Sequence, residues 1–311
     1  MAKILILGGA GFIGGNLARS LVQAGADVRI FTRPTASISR LQDILPRVEV
    51  IYGDFLDDAA LARSVRGSDI VFHLISTTFP NTVTSSTYDI FSNLLPTIRL
   101  VELCLDHDVS KLVYASSGGT IYGEPLQVPI PEDHPLIPKS AYGQSKLTIE
   151  NYLNFYARST PLDVVILRIS NPFGPGQHAW RVQGVVAVAI GCLLRQQPLK
   201  LYGTGNAVRD YIYISDVVDA MILAAQQLGS SVANISSGQG HSVLEIVEKI
   251  ESIAGRTIVK EFIAERPNDV DVNILDNRRA REIYGWVPKC SLHEGIAAKF
   301  EFMQRSEFSL N

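Results

Sequence analysis

Cysteine is scarce in this 311-residue chain, and what little there is excludes a good deal. Cys104, Cys192 and Cys290 lie far apart and are odd in number. They form no CxxC or Cys/His pattern, so no disulfide framework and no metal site is expected, and they read as reduced packing residues of a cytoplasmic protein. Charge of one sign is also lacking: the formal net charge is -3, which gives no support for a nucleic-acid partner. No apolar run is long enough to span a bilayer. The longest, roughly 182–194, contains Gln183 and two glycines, and the apolar start at Ile4–Leu7 runs straight into glycines rather than a cleavage site. Low-complexity tracts, long charge runs and internal repeats are missing too. With 46% hydrophobic and 19% charged residues, the composition is that of a compact, enzyme-like chain.

What is present begins at the N-terminus. Lys3-Ile4-Leu5-Ile6-Leu7 is a continuous apolar run, as expected of a buried parallel strand. It leads into Gly8-Gly9-Ala10-Gly11-Phe12-Ile13-Gly14 and a helical stretch from Asn16 to Ala24. Glycines at 8, 11 and 14 permit a tight turn, close approach to a pyrophosphate and close helix–strand packing, with the phosphates at the helix N-terminus. Further strands are expected at 28–31, 48–52, 70–75, 111–115, 164–168 and 232–235, with helices between them. Strands alternating with helices imply a Rossmann-type doubly wound α/β sheet. Ligands bind outside the C-terminal ends of such strands. The glycine loop, Asp54, Ser76 and Ser117 to Thr120 all follow strands, so they gather on one rim. A smaller C-terminal α/β lobe is expected to close over it. The dinucleotide-binding part would take 1–170 and about 211–237, and the lobe 171–210 and 238–311. In the lobe, Ser242-x-x-Glu245 and Ser291-x-x-Glu294 read as capping boxes opening two helices.

The chemistry centres on Tyr142-Gly143-Gln144-Ser145-Lys146. Ser140 is a plausible N-cap, and the stretch to Arg158 fits a largely buried helix. Tyr142 and Lys146 are four apart and share a face. An ammonium beside a phenol favours the phenolate, so a lowered Tyr142 pKa is expected. Such a tyrosine can exchange a proton with an alcohol or ketone near neutral pH. Tyr-x-x-x-Lys also occurs on ordinary helices, so this pair gains meaning from the rest of the chain.

The order of GGAGFIG, GD at 53–54, SSGGTIYG, YGQSK, NPFGPGQ, RDYIYISD and RPNDV resembles the extended short-chain dehydrogenase/reductases, in particular the nucleotide-sugar epimerase/dehydratase family of bacterial surface-sugar synthesis. The resemblance covers nearly the whole chain. It implies that Tyr142 transfers the proton and that Lys146 holds the nicotinamide ribose. It places Gly8, Gly11, Phe12, Ile13, Gly14, Asp54, Phe55, Leu74, Ser76 and Asn93 around the cofactor. Asn171, Arg209, Tyr211, Arg266 and Asp269 would face a nucleotide-diphosphate sugar. Two guanidinium groups around a diphosphate are physically sensible; for Arg209 the alternative is an ion pair with Asp210 or Asp216.

Two departures stand out. Gly118 occupies the place where the family carries Ser or Thr. Thr120 is then the first choice to hold the sugar oxygen and Ser117 the second. The second strand ends in Thr32-Arg33 rather than an acid, which argues for NADP(H) over NAD(H), unless Arg33 is only a solvated loop residue. The expected function is a nucleotide-sugar 4-epimerase of the UDP-glucose/galactose type. The alternative is an NADPH-dependent reductase of a nucleotide-linked 4-keto-6-deoxy sugar. A dehydratase lacks its Asp-Glu pair here, and a non-catalytic nucleotide sensor is disfavoured because both Tyr142 and Lys146 are present. A homodimer through the helices around 88–106 and 141–158 is implied by the resemblance alone.

Overall fold

The computed structural model describes residues 2–80, 86–178, 184–266 and 269–308. In chain order, β1 (Lys3–Leu7), α1 (Phe12–Gln23), β2 (Asp27–Thr32), β3 (Val48–Tyr52), α2 (Asp58–Val65) and β4 (Ile70–His73) build the first half of the large sheet and its cover. The second half follows with α3 (Ser86–Asp89), a π-helical turn at Ile90–Leu94, α4 (Leu95–Asp106), β5 (Lys111–Ser117), α5 (Ala141–Ser159) and β6 (Asp163–Ile169). Beyond it come β7 (Asn171–Phe173), α6 (Val185–Leu194), β8 (Leu199–Tyr202), β9 (Val208–Tyr213), α7 (Ile214–Gln226) and β10 (Ser231–Ile235). The chain ends with β11 (Gly240–Ser242), α8 (Val243–Ala254), β12 (Lys260–Ile263), β13 (Val272–Asn273), α9 (Arg278–Tyr284) and α10 (Leu292–Phe308).

Seven parallel strands form the main sheet in the order β10-β6-β5-β4-β1-β2-β3. Strand order reverses between β1 and β4, which opens a crevice at the C-terminal ends of both. The strands read as continuous apolar runs because both faces are covered. One face packs on α1 and α7 through Leu17, Leu21, Val217 and Met221, and the other on α2, α4 and α5 through Leu61, Leu100, Ile149 and Leu153. From the C-terminal part, Ala280, Tyr284 and Trp286 join the first of these cores. A third core, with Phe173, Ile190, Leu201, Ile246 and Phe300, knits α6, α8 and α10 together beside two small sheets.

The expected elements are largely present. Ser140 caps α5 by accepting from Gly143 N at 3.1 Å, and both capping boxes form. The helix expected over about 182–196 covers 185–194, with Val182 and Gln183 outside the described residues. The helix expected from Tyr88 to Asp106 is not regular. It is interrupted by the π-turn, and a turn of that kind often marks a functional site.

Candidate active site

The glycine loop is shaped by its missing side chains. Gly8 has φ +84°, and a Cβ on Gly14 would lie 2.4 Å from the Gly8 carbonyl oxygen and 2.8 Å from the Gly9 Cα. Helix α1 therefore starts hard against β1. Its N-cap, Gly11, offers no side-chain cap, so among the described residues the first amides of α1, from Phe12 and Ile13 onward, have no side-chain partner. Uncapped amides at a helix N-terminus suit the phosphates of a dinucleotide. Leu74 closes the far side; its N–H donates to the Leu7 carbonyl at 3.1 Å, and its own carbonyl carbon lies 3.3 Å from where a Gly8 Cβ would be. Asn16 of α1 reaches across to the Pro175 carbonyl at 3.1 Å and ties the glycine loop to the NPFGPGQ segment.

At the end of β3, Asp54 is exposed and accepts the Leu56 N–H at 2.9 Å, a turn-forming contact. Phe55 points into the core, 4% exposed, with its ring 5.1 Å from His73. Thr32 is buried at the end of β2, and Arg33 is exposed.

Tyr142, Lys146, Ser76, Thr78, Asn93 and Tyr114 line one small recess at the ends of β4 and β5. Lys146 is buried; its ammonium donates to the Ala115 carbonyl at 2.9 Å and lies 4.6 Å from the Tyr114 ring centroid. The Tyr142 ring centroid is 5.8 Å from that nitrogen. Burial pulls Lys146 down to about 8, against the opposing pull of Glu150. The expected lowering of Tyr142 is not found. Burial pushes this phenol up to about 12, a hydrogen bond with Ser117 works against that, and the Asp89 carboxylate adds to it. The ammonium is spent on a carbonyl and a second ring, so burial outweighs it. Gly143 is glycine because the Thr120 carbonyl oxygen would stand 2.6 Å from its Cβ.

Asn93 sits on the π-turn, and its amide is fully engaged. It accepts the Thr77 N–H at 2.9 Å and donates to Thr77 Oγ1 at 2.8 Å and to Asp89 at 3.1 Å. Thr78 donates to the same carboxylate at 2.5 Å. Asn93 thus fixes the 76–78 segment, and Ser76 donates to the Thr78 carbonyl at 2.9 Å within it.

The hydroxyl question has a steric answer. A Cβ on Gly118 would meet Leu275 Cδ1 at 2.3 Å and the Arg168 carbonyl oxygen at 3.0 Å, so a Ser or Thr there would have to displace the Leu275 side chain and crowd that carbonyl. Of the two substitutes, Ser117 is the one placed against the Tyr142 phenol, and Thr120 Oγ1 is buried with no partner among the described residues. Tyr114 OH is likewise buried and unpartnered.

The segments after β6 contribute a looser set. Asn171 donates to the Asp210 carbonyl at 2.8 Å. Tyr211 is buried, which raises its phenol. Arg209 pairs with neither Asp210 nor Asp216; it donates to the Val208 carbonyl at 2.9 Å and stands 3.5 Å from the Asp269 carboxylate. Asp210 instead accepts from Ser170, Ser237, Gly238 and Leu275, and Asp216 from the amides of Lys289 and Cys290. Arg266 stacks on Tyr202, 3.6 Å from the ring centroid. Pro267 and Asn268 of the RPNDV segment lie outside the described residues.

Sequence reasoning passed over Tyr202, Asp89, Tyr114, Glu150 and Arg168. Glu150 did carry a signal, since it repeats the four-residue step from Tyr142 to Lys146. No group of three or more potential metal ligands is found among the described residues, and none of their helices is long and apolar enough to cross a membrane.

Residues 4–236 match the NAD dependent epimerase/dehydratase family. The UDP-glucose 4-epimerase of Mycolicibacterium smegmatis is 33% identical over 310 residues, covering 97% of this chain and 98% of that one. The structure of UDP-glucose 4-epimerase from Thermotoga maritima with UDP-glucose superposes with a TM-score of 0.93 at 32% identity, over 98% of this chain and 99% of the other. That of the Thermus thermophilus enzyme in complex with NAD gives 0.89 at 32% identity, over 97% and 99%. Match length, identity and superposition agree with the glycine loop, the Tyr142–Lys146 helix and the sheet order: the chain belongs to the NAD-dependent epimerase/dehydratase family.

Proposed function

We propose that the protein is a nucleotide-sugar 4-epimerase of the UDP-glucose/galactose type. The carrying observation is the Tyr142 phenol, acted on by Ser117 at the end of β5 and set in a recess with Lys146. The full-length likeness to UDP-glucose 4-epimerases supports the substrate class. When bound, an oxidised nicotinamide supplies the hydride acceptor and a positive charge. Lys146 adds a second positive charge, and both favour a phenolate that burial alone disfavours. Tyr142 takes the C4 hydroxyl proton as the hydride leaves the sugar, and gives it back when the turned-over ketone is reduced on its other face. Ser117 and the unpartnered Thr120 hydroxyl hold the sugar oxygen. Arg209 and Arg266 hold the diphosphate, Asp269 the nucleoside ribose, and Asn171 and Tyr211 the floor beneath them.

Residues 171–210 and 238–311 form the substrate lobe in this reading. The exposed apolar face of Tyr88, Ile90, Phe91 and Leu95, beside Tyr152 and Phe155 of α5, supports a homodimer through these helices. The enzyme works in the cytoplasm, where nucleotide sugars are made. Arg33 at the strand end supports NADP(H) as the preferred cofactor. The test incubates the purified protein with UDP-glucose and, separately, a dTDP-4-keto-6-deoxy sugar. Inversion at C4 of UDP-glucose without net change in the reduced-nicotinamide band is the expected result. Consumption of that band with the keto sugar alone would make the protein a reductase.

A further inference from the structure

Glu150 lies one turn beyond Lys146 on α5, so the two share a face. It is 1% exposed. Arg168 of β6, 4% exposed, donates to it from Nη2 at 2.8 Å and from Nε at 3.1 Å, and Ser116 of β5 donates its hydroxyl. The other guanidinium nitrogen, Nη1, holds the Tyr122 hydroxyl at 3.0 Å and the Glu132 carbonyl at 2.9 Å. A buried ion pair of this kind is poor value for stability alone, because two charges lose their water. Its position gives it another use.

Among the described residues, the groups beside the Lys146 ammonium are His73 from β4, Tyr114 from β5, and Tyr142 and Glu150 from its own helix, with Arg168 behind Glu150. Burial drives His73 down to about 3, so it is neutral. Asp89 is held by Thr78 and Asn93 and acts on Tyr142. Among the described residues, Glu150 is the carboxylate that acts on the lysine. We propose that Glu150, clamped by Arg168 and Ser116, is the counter-charge that keeps Lys146 an ammonium in its buried site, and is thus a positioning residue for the proton-transfer pair. The assignment rests on the reading of Tyr142 and Lys146 as that pair. It agrees with the upward pull of Glu150 on a lysine that burial brings to about 8.

The test follows the Lys146 Cε resonance in protein labelled with ¹³C at lysine Cε, the signal being identified by its loss in Lys146→Met. The midpoint is expected near 8 in the unaltered protein, and about one pH unit or more lower in Glu150→Gln. That variant leaves Arg168 unpaired, so Glu150→Gln/Arg168→Met repeats the measurement without the orphaned cation and should also titrate low. Glu150→Asp, which keeps the charge, should recover most of the shift. The high-pH limb of kcat/KM should move in step. A midpoint that stays put in both glutamine variants would make Glu150 a mere brace and overturn the proposal, as would failure of both to fold. The titration does not depend on turnover. Loss of the epimerase reading itself would show instead as an active Tyr142→Phe.

Discussion

The floor of the site and its outer wall are built on opposite principles. On the floor, Tyr142, Lys146, Ser117 and Asn93 stand on α5, β5 and the π-turn, all part of the large sheet's own packing. Lys146 is held by the Ala115 carbonyl, and Asn93 by Thr77 and Asp89 of the same rim. On the proposed wall, Arg209 and Arg266 come from the lobe; Arg209 also holds the Val208 carbonyl, but the side chains on which the two cations rest are ones a ligand can replace. Arg209 stands beside Asp269, which is half exposed, and Arg266 lies on the face of Tyr202, 41% exposed. A preorganised floor suits charge that develops during reaction. A wall whose cations are parked on substitutes suits a dianion that arrives and leaves. The floor should therefore govern turnover and the wall affinity.

The most severe way to probe the floor is Tyr142→Phe. Only the hydroxyl is lost, so the fold and substrate binding should persist while kcat falls by roughly 10²–10⁴-fold. Steady-state rates together with calorimetric titration of UDP-glucose separate the two effects. Near-normal turnover would take Tyr142 out of the chemistry and erase the contrast.

Arg209→Ala probes the wall. A charge-assisted contact to a diphosphate is worth about 1.5–3 kcal/mol. Giving up the Asp269 partner offsets part of this, so KM should rise about tenfold or somewhat more, with kcat within a few-fold. A collapsed kcat at unchanged KM would instead place Arg209 on the floor.

This contrast was only half legible in the sequence. The sheet was legible because its strands are buried on both faces and so are written as unbroken apolar runs, as in Ile4–Leu7. Helix α5 was legible from its cap and its Tyr142–Lys146 spacing. The π-turn was not, since nothing local to Ile90–Leu94 distinguishes it from a regular helix. The stacking of Arg266 on Tyr202 joins residues in separate segments, and no periodicity links them. The Tyr142 pKa was read in the wrong direction because spacing reports which charge is near but not how much water is lost. Burial and Asp89 decide the sign, and both are tertiary facts.

Gly118 lies where the two regions meet, and its substitution tests their packing rather than their chemistry. In the sequence it was only an unexplained departure; the Leu275 side chain accounts for it. Gly118→Ser should be destabilised by about 1–3 kcal/mol, the usual cost of overpacking a filled core. Urea denaturation reads this directly, and adding Leu275→Ala should return part of the loss. A fully stable Gly118→Ser would mean that Leu275 does not fill the family's usual hydroxyl position.

The smallest effect concerns the rim of the floor, where the cofactor's adenosine end would lie. No carboxylate stands at the end of β2. Thr32 is there, 5% exposed, with its carbonyl accepting the Gly53 N–H at 3.0 Å. An Asp at this position would bury a charge, so Thr32→Asp would confuse preference with stability. Arg33 is the cleaner probe because it is exposed. Exposure also limits what it can do: a solvent-facing ion pair is worth about 0–1 kcal/mol and weakens with salt. NADP(H) should therefore bind cofactor-stripped protein only a few-fold more tightly than NAD(H). Arg33→Ala should remove that margin without weakening NAD(H). The margin should also shrink as ionic strength rises, because a phosphate held by a guanidinium in water is screened while the pyrophosphate held by the α1 amides is common to both cofactors. Side-by-side fluorescence titrations at two salt concentrations measure this. Tighter NAD(H) binding in the unaltered protein, or a margin indifferent to both Arg33 and salt, would leave Arg33 a solvated loop residue and return the cofactor choice to NAD, the cofactor in the solved Thermus thermophilus complex.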